Sequence, residues 1–284
     1  NTVSPNYAQE IQTKAFGCGL EQLLQKKRQR LLGILNGIDG KLWDPRHDLH
    51  IPHQYGLKNI ANKYLNKIAL QEKCEFKQND NKIVIGNIGR IAEQKGLDLI
   101  LSILPQWTLQ PVQFVFLGSG DALIERSLIQ WQQRFPQSIA VYLGYDEALA
   151  HQIEAGADIF VMPSRFEPCG LNQLYSLRYG TIPVVHGVGG LADTVIDFTS
   201  GKNATGFVFH EPSAASLDTS LRQAVRVFSQ SSRWRELMLS AMKQDFSWRA
   251  SAQQYQQLYR RAKEIRQARG PLVINSEHSP PSHN

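Results

Sequence analysis

Met162-Pro163-Ser164-Arg165-Phe166-Glu167-Pro168-Cys169-Gly170-Leu171 joins two different sequence patterns. Before it, Ile159-Phe160-Val161-Met162 is a short, wholly apolar run of the kind that forms a parallel strand buried on both faces. After it, Leu171, Leu174, Tyr175 and Leu177 recur with helical spacing, and Pro168 and Gly170 punctuate the start of that helix. Glu167 therefore falls at the carboxyl end of a strand and the amino end of a helix. In an open α/β sheet that is the edge where ligands bind. A carboxylate there, flanked by Arg165, suits recognition of hydroxyls or of developing positive charge. It suits equally well a cap that complements the helix dipole, and this corner alone does not separate the two readings.

Outward from it, the same alternation repeats. Strands are expected at 83–88, 112–117, 139–143, 182–185 and 207–209, with helices at 96–104, from 121 through 135, at 147–155 and from 189 through 196. This spacing implies a doubly wound parallel, Rossmann-like α/β sheet with right-handed crossovers, occupying residues 79–230. Pro183 cannot donate to a sheet ladder and is tolerated near the start of its strand.

Two blocks flank this unit. In residues 1–78, Tyr7 to Leu24 has helical character interrupted by Gly17 and Gly19, and Gly33 to Gly40 reads as an apolar strand running into a turn-rich loop. Asn59 to Leu70 is an amphipathic helix, and Lys77-Gln78-Asn79-Asp80-Asn81-Lys82 is the best linker candidate. After the sheet, helices are expected at 217–228, 233–242 and from Trp248 to about Ala268, the last with Ser247 as its N-cap. Residues 231–269 are thus C-terminal helices, and 270–284, with Pro271, Pro280 and Pro281 and few large apolar residues, are expected to be disordered.

Composition narrows the function. A chain of 284 residues with 42% hydrophobic and 20% charged residues has enough apolar material for a real core. No apolar run reaches the length of a membrane span. Cys18, Cys74 and Cys169 are odd in number, scattered and without metal-ligand spacing, which points to a reducing compartment. The net charge of +6 suits an anionic small-molecule ligand such as a nucleotide. Lys26-Lys27-Arg28-Gln29-Arg30 has no interleaved aromatic residue, so it reads as a solvated helix face, not a nucleic-acid surface.

Four strand-to-helix corners on one sheet edge carry suggestive residues. In Gly89-Arg90-Ile91-Ala92-Glu93-Gln94-Lys95-Gly96, Arg90 and Lys95 can converge on one anion, and a diphosphate suits both a guanidinium fork and an ammonium point charge. Gly118-Ser119-Gly120-Asp121 lacks the third glycine of a dinucleotide fingerprint and is weak by itself. The Glu167 corner is the third. In Gly187-Val188-Gly189-Gly190-Leu191 the glycines allow backbone N–H groups to approach phosphate oxygens, or equally allow close helix–sheet packing. Taken together, the corners describe a nucleotide pocket that handles an electrophile. With no His/Cys/Asp cluster to suggest a metal, departing negative charge would fall to Arg90, Lys95 and backbone dipoles.

These residues are also recognisable. Lys95-Gly96-Leu97-Asp98-Leu99, Arg165-Phe166-Glu167-Pro168-Cys169-Gly170-Leu171 and Gly189-Gly190-Leu191-Ala192-Asp193-Thr194-Val195 resemble the bacterial glycogen synthases and plant starch synthases. So do Val3-Ser4-Pro5 with Tyr7-Ala8, Asn36-Gly37-Ile38-Asp39, Trp43-Asp44-Pro45 and Asp245-Phe246-Ser247-Trp248, so that the resemblance runs collinearly over roughly residues 1 to 265. It implies a GT-B fold of two facing Rossmann-like domains, with residues 1–78 the end of an N-terminal domain plus interdomain linker and 79–230 the donor-nucleotide domain. The implied activity is transfer of glucose from ADP-glucose to the non-reducing end of an α-1,4-glucan with retention, without metal or cofactor.

Carried onto this chain, the resemblance makes Arg90 and Lys95 ligands of the donor diphosphate and Glu167 the partner of the donor sugar and its oxocarbenium-like transition state. Backbone at Gly189, Gly190 and Leu191 would bind phosphate oxygens, and Tyr145 would stack near the adenine. Cys169, Gly170 and Leu171 belong to the donor corner, and Asn36 to the cleft on the nucleotide side. The family's Lys-x-Gly-Gly-Leu motif is absent, its usual Thr before Gly-Gly-Leu is Val188, and its usual Ser before the site Arg is Gly89. The expectation is the donor-binding half of such an enzyme, with a non-catalytic nucleotide- or glucan-binding module as the alternative. The expected setting is a bacterial cytoplasm, or otherwise a plastid stroma.

Overall fold

The computed structural model describes residues 1–79 and 81–268; the disordered tail expected at 270–284 lies outside the described residues. The central unit is a six-stranded, wholly parallel sheet made of β1 (Ile83–Ile88), β2 (Val112–Gly118), β3 (Ile139–Leu143), β4 (Ile159–Met162), β5 (Ile182–His186) and β6 (Phe207–Phe209). Their order is β3-β2-β1-β4-β5-β6. The chain steps outward from β1 to β3, then returns to the other side of β1, where Ile85 pairs with Ile159. The crevice between β1 and β4 is therefore the topological switch point, and the loops that follow these two strands flank it.

The helices, in order, are α1 (Pro5–Glu10), α2 (Glu21–Lys26), α3 (Lys63–Lys73), α4 (Leu97–Trp107), α5 (Ala122–Arg134), α6 (Glu147–Gly156), α7 (Asn172–Tyr179), α8 (Gly189–Thr194), α9 (Ala214–Phe228), α10 (Ser231–Met242) and α11 (Trp248–Ala268). Alternation along each strand divides the core. Ile83, Ile85, Phe114, Phe116, Ile182 and Val184 face one side and pack with α4 and α9 through Ile100, Ile103, Leu217 and Leu221. Val84, Val115 and Leu117 face the other and meet Leu149 and Ile153 of α6 together with Leu70 of α3. Phe160, Met162 and Val185 continue that face beneath Val188, Leu191 and Val195.

Caps fix where the helices begin. Asp121 accepts the N–H groups of Leu123 and Ile124, Asp146 that of Leu149, and Ser213 that of Ser216. Ser247 accepts the N–H of Ala250 at 3.3 Å, as its expected capping role requires. The corner at Gly118-Ser119-Gly120-Asp121 is a structural one: Ile91 and Gly120 form an isolated parallel bridge, and Gly120 N–H donates to Glu125.

The first block departs from expectation in one place, and in another the interruption expected at two glycines is seen. The strand expected from Gly33 does not form; the segment is extended and makes only isolated parallel bridges, Gly33 with Thr2 and Ile38 with Ser247. Its apolar character is used in crossing other loop segments, so no ladder develops. The helical stretch around Tyr7 to Leu24 is two short helices, α1 and α2, separated by turns around Gly17 and Gly19. Beyond them, Trp43 lies between the rings of His151 and Tyr175, 3.7 Å from each and nearly parallel to both. Asp48 accepts from His151 at 2.7 Å and from the Tyr179 hydroxyl at 2.5 Å. This segment is thereby fastened to α6 and α7.

Candidate active site

The two loops at the switch point meet through their charged side chains. Lys95 follows β1 and Glu167 follows β4, and Lys95 Nζ lies 2.5 Å from Glu167 Oε2. The Glu167 side chain is only 8% exposed and that of Lys95 23%. Ser164 Oγ donates to the same Oε2 at 3.1 Å. These two donors offset the cost of burying the carboxylate.

Backbone packing leaves the Glu167 loop little freedom. Gly96 has φ +72°, and a Cβ there would stand 2.1 Å from Pro163 O. On the other side Gly189 has φ +45°, and a Cβ there would stand 1.9 Å from Glu167 O. Two hydrogen bonds add further ties: the side-chain Nε2 of Gln94 donates to Phe166 O at 3.1 Å, and the backbone N–H of Arg165 donates to the backbone O of Gln94 at 2.9 Å. The loop is therefore wedged between the β1 corner and the start of α8, which aims Glu167 at the crevice.

Arg165 plays a different part from the one its position beside Glu167 suggests. Its guanidinium makes two bonds to Asp98, at 2.7 and 2.6 Å, and a third to Glu93 O at 2.7 Å. The fork staples the Glu167 loop to α4, and hydrogen bonding from Arg165 holds the Asp98 carboxyl below its ordinary range. Arg90, exposed at the rim, reaches Gln94 Oε1 at 2.9 Å. Arg90, Lys95 and Glu167 are thus brought to one edge, joined through Gln94.

The remaining expected residues divide. Cys169 is buried, which pushes its thiol up, and the backbone N–H of Asn36 points at its sulfur. Gly190 N–H donates to Glu167 O at 3.1 Å, and Leu191 N–H to Val188 O at 3.0 Å. Gly189 N–H donates to the carboxylate of Glu10 at 2.8 Å. Every N–H expected to meet phosphate oxygens therefore already has a protein acceptor, and an arriving phosphate must displace one of them. Gly170, with φ +70°, closes the corner, and Leu171 is partly exposed at its mouth. Tyr145 stands apart after β3, 88% exposed, and no described hydrogen bond or ring contact joins it to the others.

Sequence reasoning missed the residues that support this site from a distance. Ser4 Oγ and Asn6 N–H both donate to Asp193 on α8, and Phe166 meets Tyr7 edge-on and Phe16 stacked, at 5.4 and 5.7 Å between ring centres. His186 is buried with its ring nitrogens on the carbonyls of Ser164, at 2.8 Å, and His210, at 3.1 Å. Only Ser164, three residues before Glu167, carried a local signal.

Two family models match the chain. The one described as glycosyl transferases group 1 covers residues 70–236, and the one described as starch synthase catalytic domain covers residues 1–26. Over 263 residues the chain is 49% identical to glycogen synthase 2 of Nitrosococcus oceani, an alignment covering 91% of this chain and 53% of that protein. Over 261 residues it is 49% identical to the glycogen synthase of Cellvibrio japonicus, covering 91% and 54%. The chain therefore spans about half the length of the curated relatives it matches. The solved catalytic domain of starch synthase IV from Arabidopsis thaliana, bound to ADP and acarbose, superimposes with a TM-score of 0.87 at 36% identity, covering 93% of this chain and 55% of that one. Anabaena Alr3699/HepE in complex with UDP and glucose shares the fold, with a TM-score of 0.61 at 17% identity over 85% of this chain and 61% of that one. With the parallel sheet, the switch-point carboxylate and these matches together, the chain belongs to the group 1 glycosyl transferases and stands among them with the bacterial glycogen synthases and plant starch synthases.

Proposed function

We propose that this chain is the donor-binding part of a glycogen synthase, a retaining hexosyltransferase that moves glucose from ADP-glucose to the non-reducing end of an α-1,4-glucan. The observation that carries the reading is the contact of Lys95 with the buried Glu167 carboxylate across the switch point. A cation and a carboxylate held together there match the two charges that separate when a glycosyl–phosphate bond breaks. The bond from the anomeric carbon to the diphosphate cleaves with its electron pair going to the departing phosphate oxygen. Lys95 and Arg90 offset the charge that builds on that oxygen, in place of a metal. Glu167 faces the positive charge that develops on the sugar ring. The acceptor hydroxyl then bonds to the anomeric carbon on the same face, and its proton leaves with the diphosphate.

In this reading Cys169, Gly170 and Leu171 surround the sugar, Tyr145 meets the adenine, and Asn36 borders the nucleotide. Gly189 N–H receives a phosphate oxygen once Glu10 has swung away, and Gly190 and Leu191 do so only by giving up their bonds to Glu167 O and Val188 O. The setting proposed is a bacterial cytoplasm, which the similarity to bacterial glycogen synthases supports; no described helix is long and apolar enough to cross a membrane.

A second reading, a non-catalytic nucleotide- or glucan-binding module, is favoured by one observation, the carboxylate of Glu10 already seated on Gly189 N–H. Calorimetric titration with ADP-glucose and with UDP-glucose tests the first reading. Selective binding of ADP-glucose supports it; binding of neither, by a folded chain, removes the donor assignment.

A further inference from the structure

A second concentration of positive charge lies at the far end of α7 from Glu167. Asp44, Arg46, Lys58, Asn59 and Arg178 contribute the polar lining of a cavity of about 400 Å³, whose apolar wall is made by Pro45, Leu57 and Met242. That volume falls within the usual span for small-molecule sites, ~300–1,000 Å³. The lining carries three cations and one carboxylate, and that carboxylate is fully engaged. Asp44, with its side chain 3% exposed, accepts from Arg46 N–H at 3.1 Å, from Arg46 Nε at 3.0 Å to each oxygen, from Arg46 Nη2 at 2.5 Å and from Arg178 Nη2 at 2.8 Å. Two further carboxylates of this region are also engaged: Asp48 accepts from His151 and Tyr179, and Asp245 is held by Ser247 and lies in the fields of Arg178 and Arg249.

The cations are far from used up. A guanidinium offers five N–H donors in a fixed fork. Arg178 uses one nitrogen in its bond to Asp44, and Arg46 keeps one nitrogen free with its side chain 58% exposed. Lys58 is exposed and makes no hydrogen bond or ion pair with any described residue. The cavity is thus rich in donors, poor in free acceptors, and has a surplus of two positive charges. A phosphate monoester carries about −1.5 to −2 charges at neutral pH and three strong acceptor oxygens, and guanidinium forks match its geometry.

We propose that this cavity binds a phosphate monoester, with Arg46, Lys58 and Arg178 as its ligands and Asp44 as the buried anchor that orients the two guanidinium groups. The site shares no residue with the donor edge and does not depend on how that edge is read. A free phosphate ion and the phosphoryl group of a sugar phosphate present the same chemistry, so both are used as probes.

The test is calorimetric titration of the whole chain with inorganic phosphate and with fructose 6-phosphate at constant ionic strength, repeated on Lys58→Ala, Arg46→Ala/Lys58→Ala and Lys95→Ala. The expected result is millimolar or tighter binding, weakened at least about fivefold by Lys58→Ala, as loss of one charge-assisted contact implies, and unchanged by Lys95→Ala. Lys58→Ala should keep the parent's thermal midpoint, because Lys58 has no partner to lose. Tighter binding of fructose 6-phosphate assigns the site to phosphorylated sugars, and equal binding assigns it to the phosphate ion. No binding at ligand concentrations of about 20 mM, binding that survives both cavity variants, or binding abolished by Lys95→Ala would overturn the proposal.

Discussion

Glu10 and Gly189, 179 residues apart in sequence, are joined by a 2.8 Å hydrogen bond from the glycine N–H to a carboxylate oxygen. The same oxygen takes a second bond, from Asn6 Nδ2 at 2.8 Å, while the other oxygen is buried with no hydrogen-bond partner among the described residues. Burial pushes the Glu10 carboxyl up, and the Gly189 and Asn6 donors only partly offset it. The arrangement places an internal anion where the proposed function places the donor phosphates.

Substituting Glu10→Gln keeps an oxygen acceptor and removes the charge. Binding of ADP should then tighten by roughly 3- to 10-fold, the size expected from lifting one partly screened like-charge contact. Titrations of the two proteins side by side check this, and equal or weaker affinity in the variant refutes it.

Glu154 supplies a pH dependence of stability. Its Oε2 accepts the Ser176 hydroxyl at 2.7 Å, and its Oε1 is buried with no partner among the described residues. Burial raises the carboxyl from 4.5 to about 8, against the smaller opposing effects of Ser176 and Lys63. The folded chain therefore keeps a proton that the unfolded chain releases, so this contribution is complete below 4.5 and is lost as pH rises through about 8. Lys63, lowered by burial to about 7, acts in the opposite sense only between that value and 10.5. Between 4.5 and about 7 the fall due to Glu154 is unopposed by Lys63. Urea midpoints measured across that window should drop more steeply in the parent than in Glu154→Gln; parallel profiles would show that Glu154 is charged in the folded chain.

What the sequence disclosed follows from the range of each signal. β4, its loop and α7 lie within about twenty residues, so the apolar run, Pro168 and Gly170 are enough to put Glu167 at a strand end. Lys95 was legible for the same reason, one strand away. Glu10 was not, because nothing in Asn6-Tyr7-Ala8-Gln9-Glu10 says that this turn will rest on α8. Arg165 misled by proximity: adjacency to Glu167 suggested a shared task, whereas its extended side chain turns back to Asp98 on α4. The run at Gly33 to Ile38 had the composition of a strand, yet composition cannot supply a neighbouring ladder, and the structure offers it only single bridges.

Gly189 tests how tightly the loop is wedged. Its φ of +45° is unfavourable for any residue with a Cβ, and that atom would stand 1.9 Å from Glu167 O. The left-handed conformation alone costs about 1–2 kcal/mol, and relieving the contact requires the Glu167 backbone to shift. Gly189→Ala should therefore lower the thermal midpoint and also weaken ADP-glucose binding beyond what the loss of folded protein explains. A variant with the parent's midpoint and affinity would show that the loop yields freely.

The Lys95–Glu167 pair allows its two members to be assigned separate tasks. Lys95→Met leaves the Glu167 carboxylate buried with Ser164 as its remaining hydrogen-bond donor, a loss worth about 1–3 kcal/mol of stability. Adding Glu167→Gln removes the stranded charge, so the double variant should regain most of that loss. Nucleotide affinity should follow a different pattern, because Lys95 is assigned to the diphosphate and Glu167 to the sugar. Lys95→Met should weaken ADP binding by about tenfold or more, the scale of one charge-assisted contact, in both the single and the double variant. Glu167→Gln alone should not weaken ADP binding, since a neutral amide removes no contact to phosphate and lifts a negative charge from beside Lys95. Restored ADP binding in the double variant would mean that Lys95 serves the nucleotide only by neutralising Glu167, and the division of roles would have to be withdrawn.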